Sequence, residues 1–258
     1  MKKALRHLLT LGTAAIVAAL YIFVLTSERA RERSRACQGL KVAIVDSSRL
    51  SFVSEKDIAV YMEEYGPYVG QLLGDVDLPR IEEILSARSA ILGSECWLDR
   101  DGFIHIEVTQ REPAIRFQKG DRGFYADEKG FVFPLQKNYT SRVPIIDGAV
   151  PLEIGNEFRG KPASGKEQAW LDRIIGMVAY MQKEGWSERI SQITVRPDGN
   201  LVLIPAAGTE KFIFGPPTGF GAKFGRIKTY YEAIVPSLDK TVYTSVDIRY
   251  DKQIICKK

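Results

Sequence analysis

The chain has 258 residues, 36 of them basic and 32 acidic, with a hydrophobic share of 45%, which is enough for one or two packed cores. The basic excess is local. Seven basic and two acidic residues lie in 1–36, leaving 29 and 30 in the remainder, and a near-neutral exterior of this kind lacks the cationic footprint of a nucleic-acid binder.

Residues 8–26 carry no charge, with Arg6 and His7 before them and Glu28 and Arg29 after. As a helix rising about 1.5 Å per residue they cover roughly 28 Å, close to the hydrocarbon thickness of a bilayer. A single transmembrane helix is expected there. A cleaved signal peptide also begins with basic residues, but its apolar region runs about 7–15 residues and ends in small side chains. Here Tyr21, Ile22, Phe23, Val24 and Leu25 lead straight into charges. The residues before Cys37 are nothing like the apolar stretch that precedes a lipidated cysteine. Lys2, Lys3 and Arg6 on one side and Arg29, Arg31, Arg33 and Arg35 on the other leave the charge rule for orientation undecided. The latter arginines are placed to meet lipid headgroups, at about 1 kcal/mol each near an anionic surface.

A first unit is expected from 37 to 117. Residues 40–45 alternate as a strand. Ser54 caps a helix with Asp57 in the capping-box position, and Ile58, Tyr61, Met62 and Tyr65 form its apolar face until Gly66-Pro67. Asp77, Leu78 and Pro79 start a second helix whose stripe is Ile81, Ile84 and Leu85. Residues 90–98 and 103–109 form a hairpin on Asp101-Gly102, ending near Pro113. The order is β-α-α-β-β.

A second unit is expected from 120 to 258. Residues 124–126 and 131–133 flank a turn at 127–130. A loop holding Pro144, Pro151 and Pro162 leads to a helix over 166–183, with Trp170, Ile174, Met177, Val178 and Met181 inward and Gly185 as its stop. Residues 190–195 and 201–204 bracket a second hairpin turn, and 211–214 is a strand. Residues 215–225, GPPTGFGAKFG, lack the ending of a phosphate loop and read as a strand-to-helix connection. A last helix over 222–235 turns Phe224, Ile227, Tyr231 and Ile234 inward. Strand 245–250, a turn at Asp251-Lys252 and strand 253–256 close the chain. The fold class is α+β: a transmembrane helix, a helix-bearing unit, and a mixed β-rich unit with two or more helices.

Candidate chemistry is sparse. With only His7 and His105 in the chain, histidine metal sites and Ser-His-Asp catalysis have too few residues. His105 alternates with Ile104, Ile106 and Val108 and reads as a solvated strand residue. There is no GxSxG elbow, and the carboxylate pairs Glu63/Glu64 and Glu82/Glu83 read as solvated helix faces. No catalytic, cofactor or metal site and no small-molecule substrate is expected. Three cysteines argue against a disulfide scaffold. Cys37 and Cys256 bracket the exterior and could pair if its ends meet, while Cys96 reads as a small packing residue.

The exterior resembles the cell-division protein FtsQ (DivIB) family. VDIRYDKQIIC at 246–256 is similar to the family's closing VDLRY strand and its return strand. QREPAIRF at 110–117 resembles the Arg-x-Pro exit from a POTRA domain. FYADEKGFVFPL at 124–135 resembles the hairpin that opens the second domain, and KFGRIKTYY at 223–231 the K-x-x-R helix before the final strands. The early Cys37 and the closing IIC are most similar to Bacteroidetes-type members.

The resemblance implies a cytoplasmic tail at 1–7, an inner-membrane span at 8–26, a periplasmic POTRA domain at 37–117 and a C-terminal β domain at 120–258. It also implies a non-catalytic role at the division septum, with FtsB/FtsL-like partners. In the family the last strand is a sheet edge to which FtsB adds a strand. By position Arg249, Tyr250, Lys252, Gln253, Ile254 and Ile255 are the partner-binding candidates, with Arg249 expected to pair a partner carboxylate and Tyr250 to stack on an aromatic. Gln253 stands where the family often has glycine. The bland alternative is a core tyrosine and a solvated arginine. Two other functions remain open: a membrane-anchored POTRA protein assisting envelope assembly, and a peptidoglycan-acting enzyme.

Overall fold

A computed structural model describes residues 15–24, 26–27, 33–136, 138–155, 158–237 and 243–258. Residues 15–24 are helical and expose their apolar side chains. Among the described residues no helix is long and apolar enough to cross a membrane; residues 8–14 and 25 of the expected span at 8–26 lie outside them. The remainder divides into two compact units that meet at Gln110 and Arg111.

The first unit contains β1 (Gly39–Ile44), α1 (Glu55–Met62), a 3-10 turn (Leu73–Asp75), α2 (Leu78–Ser86), β2 (Ile91–Leu98) and β3 (Phe103–Gln110). The sheet order is β1-β3-β2. β1 runs parallel to β3, with Gly39 opposite Phe103 and Ile44 opposite Val108. A parallel pair needs a crossover, and both helices lie in it. β2 and β3 form the antiparallel hairpin, whose turn places Gly102 at φ 95°, a conformation glycine adopts without strain.

Local chemistry sets the helix starts. Ser54 and Asp57 make a reciprocal capping box at α1. The Asp77 carboxylate accepts from the Arg80 amide at α2, where proline occupies the first turn. Ile58, Met62, Ile81, Ile84 and Leu85 bury their side chains, as do Ile104, Ile106 and Val108 of β3. His105 faces the other way, as the alternation requires, but it is engaged rather than merely solvated. Its Nε2 lies 2.7 Å from Asp99 Oδ2, and its ring stacks on Trp97 at 5.1 Å.

The second unit contains β4 (Pro113–Lys119), β5 (Arg122–Asp127), β6 (Val132–Pro134), β7 (Ile145–Gly148), α3 (Gly165–Lys183), β8 (Ile190–Val195), β9 (Leu201–Pro205), β10 (Lys211–Gly215), α4 (Phe220–Thr229), β11 (Ser245–Asp247) and β12 (Ile255–Lys257). Its mixed sheet has nine strands in the order β12-β11-β10-β9-β8-β7-β4-β5-β6. The core joins Leu171, Ile174, Met177, Val178 and Met181 of α3 and Phe224 and Ile227 of α4 to sheet residues that include Phe117, Ile193, Phe212 and Val246. Phe224 is its aromatic hub, with the rings of Trp186, Phe214 and Tyr180 centred 5.1, 5.2 and 5.7 Å away.

Four expectations are corrected. The exit near Phe117 moves upstream, because Pro113–Lys119 pairs with β5 and β7 inside the second sheet. Pro113 is tolerated as the strand's first residue, where its missing N–H costs least. The loop after Pro144 contains β7, a short strand parallel to both β4 and β8. The last helix changes to a π turn at Tyr230–Ile234. Its wider winding turns Tyr230 inward to 3% exposure and leaves Tyr231 at 36%, donating to Glu210 Oε1 at 2.6 Å. The strand expected over 245–250 stops at Asp247.

A candidate partner-binding edge

β11 is held from both sides. Lys211, Phe212 and Ile213 of β10 pair in parallel with Ser245, Val246 and Asp247, and β12 pairs antiparallel on the other flank, with Val246 opposite Cys256. Val246 and Ile248 are fully buried. β12 has β11 on one side and no strand on the other among the described residues. Its short length is typical of an exposed edge. Cys256, opposite Val246, packs against the core, whereas Ile255 and Lys257 are exposed on the alternate positions.

The connection from β11 to β12 is braced by α4. Arg226 Nε donates to Ile248 O at 2.8 Å, and Arg226 Nη1 lies 3.6 Å from Asp251 Oδ1. Lys223, one turn earlier, is 7% exposed and donates from Nζ to Pro216 O at 2.7 Å, over the Phe214 ring. Burial holds its pKa below the usual lysine value, with Arg226 adding to the effect. The K-x-x-R pair is thus a structural brace for the loop before α4 and for the β11–β12 connection. The sequence marked these residues only through family likeness.

Arg249 and Tyr250 lie on this connection rather than on a strand. The Arg249 guanidinium is already occupied within the chain: Nε donates to Asp247 Oδ1 at 3.0 Å and Nη2 to Asp247 Oδ2 at 2.7 Å. Asp247 also accepts the Arg249 amide at 3.1 Å. Burial pushes the Asp247 carboxyl upward, but the Arg249 hydrogen bonds outweigh it and set the group below its usual value. Gly215, at φ 78°, makes room for this arrangement, since a side chain there would begin 3.0 Å from Arg249 Cγ. Tyr250 is 45% exposed, and its ring centroid lies 5.6 Å from Arg249 Cζ.

The six candidates therefore fall in one stretch but in different settings. Arg249, Tyr250, Lys252 and Gln253 are exposed on the connection, Ile254 is half-buried against the core, and Ile255 alone belongs to β12. Asp247 was missed because an aspartate on an apolar strand gives no sign of its partner. Cys37, Cys96 and Cys256 are free thiols, and Cys37 is 1% exposed inside the first unit. Burial pushes the Cys256 thiol up, away from the reactive thiolate.

Against known families, residues 112–257 match the model described as FtsQ/DivIB, C-terminal related. This match covers more than half of the chain. The chain belongs to the FtsQ/DivIB-related family. Residues 35–109 match a POTRA-like domain, which coincides with the β-α-α-β-β unit. No curated protein sequence matches the chain. The FtsQ/DivIB-related match runs from just before β4 to the end of β12, so Pro113–Lys119 and the closing edge lie within one family unit.

Proposed function

We propose that this FtsQ/DivIB-related protein is a non-catalytic divisome scaffold. Residues 1–7 lie in the cytoplasm, 8–26 cross the inner membrane, and both folded units stand in the periplasm at the division septum. The second unit recruits an FtsB/FtsL-like pair to midcell by accepting a strand along β12. The supporting observation is the position of β12: it closes the sheet, its outer flank is open among the described residues, and it continues into the exposed connection that carries Arg249 and Tyr250. An edge of this kind offers main-chain hydrogen bonds to a second chain, while neighbouring side chains set specificity. Arg249 acts here with Asp247 as a preorganised pair, presenting Tyr250 beside the ladder rather than seeking a carboxylate alone.

Capture of an FtsB/FtsL-like pair by the purified full-length chain tests this reading. Cys256→Pro removes the β12 ladder donor that faces the open flank, since Ser245 and Asp247 direct their backbone groups to Lys257 and Ile255. It is expected to weaken capture at least tenfold while the circular dichroism spectrum is retained. Undiminished capture by a folded Cys256→Pro variant moves the binding surface elsewhere. Removal of 245–258 as a whole is the wrong lesion, because it strips Val246 and Ile248 from the core. A fluorescent fusion at midcell is the expected cellular result; a uniform envelope signal overturns the division role.

A further inference from the structure

The chain enters the first unit at one end of its sheet. The Cys37 amide donates to Gln71 O at 2.7 Å, the Gly70 amide to Cys37 O at 2.8 Å, and the Leu73 amide to Arg35 O at 2.8 Å. Ala36 bridges Leu72. The Gln38 amide donates to Gly102 O at 2.8 Å, and the Arg35 guanidinium donates to the Arg100 carbonyl. Residues 33–38, the 68–74 loop and the β2–β3 turn therefore share this end.

The same end carries apolar surface. Val69 is 64% exposed and Leu72 47%, with Tyr68 half-buried beside them and Arg33 and Arg35 exposed. Single exposed apolar side chains need no explanation. Two in one short loop, beside the point where the chain departs for its apolar segment, do. Ser27 precedes Arg33 by six residues, a reach of about 20 Å when fully extended. The headgroup layer is roughly 5–7 Å thick on each side of the hydrocarbon. With 8–26 in the bilayer, this end cannot stray far from the interface.

We propose that this end of the first unit is a membrane-docking surface. Tyr68, Val69 and Leu72 seat in the headgroup layer of the bilayer that holds the anchor, with Arg33 and Arg35 at phosphate depth. The inference rests on the anchoring proposed above and extends it to the folded unit. Arg33, Arg35 and Arg100 share these segments with Asp75 and Asp101, so the charge of this end is nearly balanced. Apolar insertion rather than attraction to anionic lipid carries the contact.

The test uses the full-length chain with Cys96→Ser and Cys256→Ser, leaving the buried Cys37. A fluorophore is placed on Val69→Cys, Leu72→Cys or Val45→Cys. Val45 is 60% exposed and follows β1, about 20 Å along the strand from the entry end. The protein is reconstituted in phosphatidylcholine vesicles, with or without phosphatidylglycerol, that carry a headgroup-region nitroxide lipid. Quenching at 69 and 72 is expected to be at least threefold that at 45 in both mixtures. Adding Leu72→Asp should bring the label at 69 down to the level seen at 45. Equal quenching at all three positions, in a chain that still resists alkaline extraction, overturns the docking surface alone. So does a label at 69 shielded from aqueous iodide but not quenched by lipid, which would mean that protein rather than lipid covers the loop. A chain stripped from the vesicles by alkali overturns the anchor, and the docking surface with it.

Discussion

The two units treat their sheet edges differently. In the first, β2 is an edge strand, yet the Cys96 amide that points away from β3 donates to Glu82 Oε1 of α2 at 2.8 Å. A helix carboxylate thus occupies a donor that an incoming strand would need. In the second unit no side-chain acceptor covers a β12 amide among the described residues. Side chains instead build up the connection beside β12, through Arg226 and the Asp247–Arg249 pair. Both edges belong to sheets with well-buried cores, so exposure of an edge is not a by-product of poor packing. One edge is plugged by a charged side chain while the other is left open beside a braced loop, and this contrast favours the second as the docking strand.

The largest effect expected in testing this contrast is Phe224→Ala. Phe224 is 1% exposed and joins α4 to Trp186, Phe214 and Tyr180. Its truncation should cost about 3–5 kcal/mol in urea unfolding and abolish partner capture by loosening the helix that braces the connection. Retained capture would separate the edge from its support.

Glu82→Ala comes next. Uncapping the Cys96 amide should cost about 1–2 kcal/mol and open β2 to strand pairing, seen as new self-association in sedimentation velocity. A monomeric Glu82→Ala protein would show that the carboxylate guards nothing. Burial, with Glu82 second, pushes the Cys96 thiol up to about 12, so the variant should also react faster with a thiol reagent.

The smallest effect is the pH response of the Asp247–Arg249 pair. Asp247 lies below its usual value of 3.8 in the fold. Its contribution to stability is therefore complete above that value and is lost as pH falls through the lower, folded value. Wild-type stability should fall more steeply than that of Asp247→Asn below pH of about 4; parallel curves would show the pair to be energetically idle.

Much of this architecture is legible from local signals. Ser54 and Asp57 announce α1, Asp77 and Pro79 announce α2, and Gly102, Gly130 and Gly199 sit at positive φ in the turns expected of them. These features depend on residues a few positions apart, which a linear reading captures. What was missed depends on distant partners. β7 is four residues long, and its register comes from β4 and β8, far away in sequence. The π turn is invisible to a helical period, because its extra residue is absorbed by the fit of Tyr230 against Phe212. Arg249 looked free in the sequence because nothing in the string shows Asp247 folding back toward it.

By itself the sequence determined most of the order of elements, most buried positions of the helices, the near-neutral charge of 37–258 and the family likeness, because each is written in spacing, composition or short motif. Only the tertiary structure decided that Pro113–Lys119 belongs to the second sheet, that Arg249 is claimed by Asp247, that Glu82 seals one edge and that β12 closes the other. Those outcomes turn on which strand lies beside which, and strand neighbours are chosen by long-range packing and hydrogen bonding that no local window contains.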